Sequence, residues 1–139
     1  MNKIIIATHH YLAKGFKDTL EYIVPNIVEV VDINAYIDNI SIESQILKSL
    51  ESINKDEQIF VFTDLLGGSV NQEFVKRLSE NKIELITGVN LPLIMTIILQ
   101  LGESNLSKER IYEAIEEAKN QLIYVNDYLE AQVMDEDDE

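Results

Sequence analysis

Apolar residues collect in four short runs, Lys3–Ala7, Ile27–Ile33, Gln58–Thr63 and Ile83–Thr87. Each is rich in Ile, Val or Phe and mostly apolar instead of strictly alternating, which is how strands covered on both faces read in a parallel sheet. Between the runs the apolar spacing lengthens to that of a helix. Tyr11 to Val24 carries Leu12, Phe16, Leu20 and Ile23 on one face, and Pro25 closes it. Ser41 stands where it can cap a helix presenting Ile42, Ile46, Leu50 and Ile53, and Ser69 where it can cap one presenting Phe74, Val75 and Leu78. Asn90 is placed to cap a helix from Leu91 to Leu101, with Pro92 in its first turn and Gly102 just past its end. Ser107 can cap the last helix, which presents Ile111, Ile115 and Leu122.

Strand–helix alternation of this kind predicts an α/β fold with a doubly wound, mostly parallel sheet. Leu122-Ile123-Tyr124-Val125 reads as a short fifth strand, either an edge strand or one that pairs with another subunit. A chain of 139 residues can bury one proper core. The expected organisation is one domain over residues 1–130 and a solvated, disordered acidic tail over 131–139, where the run Asp135-Glu136-Asp137-Asp138-Glu139 falls.

Charge narrows the function classes. The formal net charge is −14, and −9 without the five terminal acids, so the surface repels nucleic-acid phosphates. The absence of cysteine removes disulfides, thiolate metal sites and Cys nucleophiles, and fits a reducing compartment. No run approaches the roughly 18 apolar residues of a membrane helix, and Ile4 to Ala7 is too short for a signal peptide. A soluble, cytoplasmic protein is expected.

Sites in open α/β sheets form beyond the carboxyl ends of the strands. The residues there are Thr8-His9-His10, then Asp32 to Asn34, then Asp64-Leu65-Leu66-Gly67-Gly68-Ser69, then Gly88-Val89-Asn90. Both histidines of the chain fall in this set. A neutral imidazole is a good nucleophile toward phosphorus, and works best when its other ring nitrogen donates to a carboxylate that fixes the tautomer. Asp64 can supply that carboxylate if the first and third strands are neighbours. His9, nearer the strand end, is the favoured nucleophile. Gly67-Gly68-Ser69 offers backbone N–H groups and a hydroxyl to an anion, and Thr8 adds a second hydroxyl. No Lys or Arg lies between Asp56 and Glu73, so this is not a Walker-type loop, and neutral donors hold a phosphoryl group without trapping it. No metal is implied, because two adjacent histidines do not converge on one ion and no third ligand presents itself. No cofactor is implied either.

Three segments in this order resemble the mannose-type enzyme IIA component of the bacterial sugar phosphotransferase system over about residues 3 to 128. They are Ile4-Ile5-Ile6-Ala7-Thr8-His9, Asp64-Leu65-Leu66-Gly67-Gly68-Ser69-Val70-Asn71 and Gly88-Val89-Asn90-Leu91-Pro92. The resemblance implies that His9 takes a phosphoryl group, that Asp64 bonds its other ring nitrogen, and that Gly67, Gly68 and Ser69 line the phosphate site. It implies strand order 2-1-3-4 and a homodimer that exchanges its last strand, here Leu122–Val125. It also implies HPr as phosphoryl donor, a separate IIB protein as acceptor, and a IIC/IID membrane permease downstream. Two positions depart from the family pattern: Val70 stands where Pro is common, and His10 where Gly is common, which leaves His10 as a second candidate acceptor. The alternative that keeps this chemistry is the phosphotransfer subunit of phosphotransferase-dependent dihydroxyacetone kinase; Gly88-Val89-Asn90-Leu91-Pro92 favours the sugar-uptake branch. A response-regulator receiver phosphorylated on Asp64 would need an acidic pair after the first strand, where Thr8-His9-His10 stands instead. A non-catalytic anion-binding module is the third reading.

Overall fold

A computed structural model describes residues 2–51, 53, 57–79, 82–102 and 104–137. In chain order the elements are β1 (Asn2–His9), α1 (Leu12–Ile23), β2 (Val28–Ala35), α2 (Ile42–Leu50), β3 (Ile59–Thr63), α3 (Ser69–Val75), β4 (Ile83–Thr87), α4 (Leu91–Leu101), α5 (Lys108–Lys119) and α6 (Val125–Asp137). The four strands form one sheet in the order β2-β1-β3-β4, and every pairing is parallel. The chain leaves β1 for β2 on one side and returns past β1 to β3 on the other, so strand order reverses between β1 and β3.

Strand periodicity divides the core into two layers. Ile4, Ile6, Phe60 and Phe62 face α1, α4 and α5, packing with Leu20, Ile94, Ile97, Ile98 and Ile111. Ile5, Ala7, Ile59 and Val61 face the other way and meet Ile46 and Leu50 of α2 and Val70 and Phe74 of α3. Helices on both faces explain why the central strands are apolar and buried through Ile4–Ala7 and Ile59–Phe62, while the edge strands admit Glu29, Asp32 and Glu84.

Three of the expected caps form. Ser41 Oγ accepts from Ser44 N at 3.1 Å, Asn90 Oδ1 from Leu93 N at 3.0 Å and Ser107 Oγ from Arg110 N at 3.3 Å. Ser69 does not cap α3. It is the first helical residue, and Gly68 occupies the cap position without a side-chain bond. α3 ends at Val75 and continues only as turns over 76–79, so Leu78 lies outside it.

The C-terminal segment takes a different form in the single chain. Leu122–Val125 is not a strand in this chain: residues 122–124 are irregular and Val125 opens α6. A single chain offers this segment no strand partner, since all its described side chains from 121 to 134 are exposed. The acidic segment from residue 131, expected to be disordered, continues α6 to Asp137. Among the described residues no helix is long and apolar enough to cross a membrane.

Candidate functional site

The reversal between β1 and β3 brings the ends of three strands to one place. In the pairing register Ala7 lies beside Thr63 and His9 beside Ala35. Asp64, directly after β3, therefore stands next to His9, and Tyr36, directly after β2, stands on its other side. His9 shares the alternation of Ile5 and Ala7, so its ring lies on the sheet face that carries α2 and α3.

Asp64 binds His9 twice. Its Oδ2 accepts the His9 backbone N–H at 3.0 Å. The His9 ring Nδ1 lies 3.0 Å from Oδ2 and 3.2 Å from Oδ1. Oδ1 also accepts the backbone N–H of Leu65 at 3.0 Å, which fixes the turn after β3. An ionised carboxylate only accepts, so the proton of this pair sits on Nδ1 and Nε2 is the open ring nitrogen. Burial works to raise the Asp64 carboxyl. The hydrogen bonds from the His9 amide and ring, together with the ring's Coulomb attraction, outweigh it and hold the group below its ordinary 3.8. The two side chains are 34% and 11% exposed, so the imidazole is more open to solvent than the carboxylate behind it.

The glycine loop supplies shape more than donors. Gly67 takes φ 75°, a left-handed turn conformation that suits glycine. Gly68 backs the imidazole: a Cβ there would stand 3.2 Å from His9 Cε1 and 3.2 Å from the Leu65 carbonyl oxygen. Its N–H donates to that carbonyl at 3.2 Å, so this amide, expected to face an anion, is spent on the turn.

Thr8 does not line the site. It is wholly buried, and its Oγ1 accepts the Ala13 N–H at 2.7 Å at the start of α1. Successive strand residues point to opposite faces, so a Thr next to the site histidine is necessarily turned away from it. His10 has left-handed φ 55°, donates its backbone N–H to Ala35 O at 2.9 Å, and sets its ring edge-on against Tyr11. It is exposed, and its ring meets Tyr11 where that of His9 meets the Asp64 carboxylate. Asp32 and Asn34 fall inside β2 and are occupied there. Asp32 pairs with Lys17 at 3.5 Å and accepts from Asn34 Nδ2 at 2.7 Å, while Asn34 Oδ1 accepts the Lys14 N–H at 3.0 Å. Among the described residues no three metal-ligating side chains stand close enough to hold an ion.

Tyr36 belongs to the site and was not among the expected residues. Its ring centroid is 5.7 Å from that of His9, and its hydroxyl is hydrogen-bonded to Ser69 Oγ. A strand read as ending at Ile33 hides it; at the observed end of β2, Ala35, the strand-end rule points straight to it.

Comparisons with known proteins agree with this architecture. The family profile described as PTS system fructose IIA component, of mannose type, matches residues 3–116. A Klebsiella pneumoniae protein assigned to the phosphoenolpyruvate-dependent sugar phosphotransferase system as a permease is 30% identical, with TM-score 0.83 over 93% of this chain and 95% of its own. A PTS IIA protein associated with the fucose utilization operon of Streptococcus pneumoniae is 25% identical, with TM-score 0.69 over 93% of this chain and 97% of its own. The mannose/sorbose-specific IIA subunit from Enterococcus faecalis, at 15% identity, shares the fold with TM-score 0.68 over 88% of this chain and 92% of its own. No curated protein matches the chain by sequence. With its 2-1-3-4 sheet and its match over most of its length, the chain belongs to the mannose/fructose-type IIA family of phosphotransferase-system components.

Proposed function

We propose that this chain is a cytoplasmic phosphoryl carrier that takes a phosphoryl group from phosphorylated HPr onto His9 Nε2. It passes the group to a IIB protein that serves a IIC/IID permease. The observation that carries the reading is the His9–Asp64 pair. Nδ1 lies 3.0 Å from a carboxylate oxygen, so Nε2 keeps its lone pair and stands open. In the transfer, that lone pair forms the new N–P bond as the bond to the donor imidazole breaks, and the breaking pair of electrons returns to the donor nitrogen. No proton changes hands. His9 keeps its Nδ1–H, and the positive charge that develops on its ring is met by the Asp64 carboxylate. Transfer onward is the same step in reverse toward the acceptor. Ser69 faces the same space through its hydroxyl and donates to a phosphoryl oxygen. The exchange across a homodimer that the family implies gives the exposed segment after α5 its role.

The test is the mass of the full-length protein after incubation with phosphorylated HPr. The expected result is one phosphoryl group per chain, acid-labile and alkali-stable, absent in His9→Ala and retained in His10→Ala. No gain of mass in the wild type would overturn the carrier reading. Loss in His10→Ala with retention in His9→Ala would move the acceptor to His10.

A further inference from the structure

Tyr36 pays for its place in the backbone. It adopts φ 68°, the left-handed region that a bulky L residue rarely occupies. Of the three non-glycine residues with positive φ among those described, His10 and Tyr36 both border the site, tied through the bond from His10 N to the carbonyl of Ala35. Backbone outliers of this kind persist when the surroundings hold them, and they gather at functional sites. The side chain gains little from burial, being 59% exposed. Its two definite contacts are the His9 ring and the Ser69 hydroxyl.

We propose that Tyr36 is a positioning residue for phosphoryl transfer, fixing the Ser69 hydroxyl so that its hydrogen points to the phosphoryl group on His9. The hydrogen count carries the inference, which rests on the carrier reading. Two hydroxyls share one bond, which uses one of their two hydrogens and leaves one to give away. A phenol is the more acidic donor, so Tyr36 O–H donates to Ser69 Oγ and the Ser69 hydrogen is left for an anionic oxygen. Donation into Ser69 Oγ also strengthens Ser69 as a donor, since hydrogen bonds in a chain polarise one another. Ser69 is free for this partnership because it sits one position inside α3, where its hydroxyl is not consumed as a cap. The Tyr36 ring, 5.7 Å from the imidazole, meanwhile walls the β2 side of the site.

A double-mutant cycle on the full chain tests it, with single-turnover phosphoryl gain from phosphorylated HPr as the readout. Tyr36→Phe removes only the hydroxyl and is expected to slow transfer about tenfold at saturating donor, with the donor concentration for half-maximal rate unchanged. In the Ser69→Ala background the same Tyr36→Phe change should cost almost nothing, because there is no hydroxyl left to aim. Tyr36→Gly, which relieves the left-handed backbone, should melt at or above the wild-type temperature while transferring as slowly as Tyr36→Phe or slower. Wild-type transfer in Tyr36→Phe, or an equal loss in the presence and absence of the Ser69 hydroxyl, would overturn the inference while leaving the carrier reading intact. A wild type that gains no phosphoryl group would overturn both.

Discussion

At the scale of the residue, one carboxylate organises the site. Asp64 takes the backbone and ring of His9 with the same oxygen and holds the following turn with the other. The carboxyl is held below its ordinary 3.8 despite burial, so it stabilises the fold in its charged form. The sign follows from that direction. Its contribution is fully present above pH 3.8, the unfolded value, and is lost as the pH falls through the lower folded value. Urea midpoints of the wild type and Asp64→Asn should therefore differ above about pH 4, and the gap should narrow as the pH falls below that. A gap that stays constant across that range would show that charge on Asp64 contributes nothing to the pair. His9 and Asp64 were both legible in the sequence, because a polar residue directly after a buried strand has few places to go. Thr8 was misread for a reason of parity. Adjacent strand residues face opposite ways, so a hydroxyl beside the histidine could not share its site unless the strand had ended one residue earlier.

At the scale of the element, caps and strand ends decide what reaches the site. Asn90 does two things at once: its Oδ1 caps α4 at Leu93 N, and its Nδ2 donates to the Ala118 carbonyl near the end of α5, at 3.0 Å each. Asn90→Ala should lower unfolding stability by about 1–2 kcal/mol, measured by urea denaturation. Asn90→Asp keeps the cap but loses the donor to Ala118, so it should recover part of that loss. Equal stability of all three proteins would remove Asn90 from the account of how α5 is held. Three caps were readable because capping is local chemistry, a side-chain oxygen meeting an amide three residues on. Ser69 looked the same in sequence. Its role changed because Gly68 took the cap position in extended geometry, φ −66° and ψ 159°, and Tyr36 arrived from β2 to claim the hydroxyl. Nothing local to residues 67–72 announces that partner.

At the scale of the whole molecule, the open apolar surface is the segment after α5. Leu122 is 88% exposed, and Tyr124, Val125, Leu129 and Val133 lie open with it. Side chains of this kind in a contiguous stretch mark an interaction surface, and the proposed exchange across a homodimer would cover it. The full chain should run as a dimer in sedimentation, and a chain cut after Gln121 as a monomer. A monomeric full-length protein would remove the exchange and leave α6 as a free helix. How far the sequence reached follows from the range of the forces involved. Burial on both faces wrote the central strands as unbroken apolar runs and the edge strands as mostly apolar ones, alternation with helical spacing wrote the doubly wound class, and the residues at the ends of those runs marked His9 and Asp64. The meeting of those two side chains, the turning away of Thr8, and the arrival of Tyr36 at Ser69 depend on strand order and register. Those are set by packing between segments distant in sequence, and no local pattern of side chains records them. The segment after α5 lies further out still: apolar spacing at residues 122–125 fits strand and helix alike, and in the single chain it runs as irregular backbone into α6.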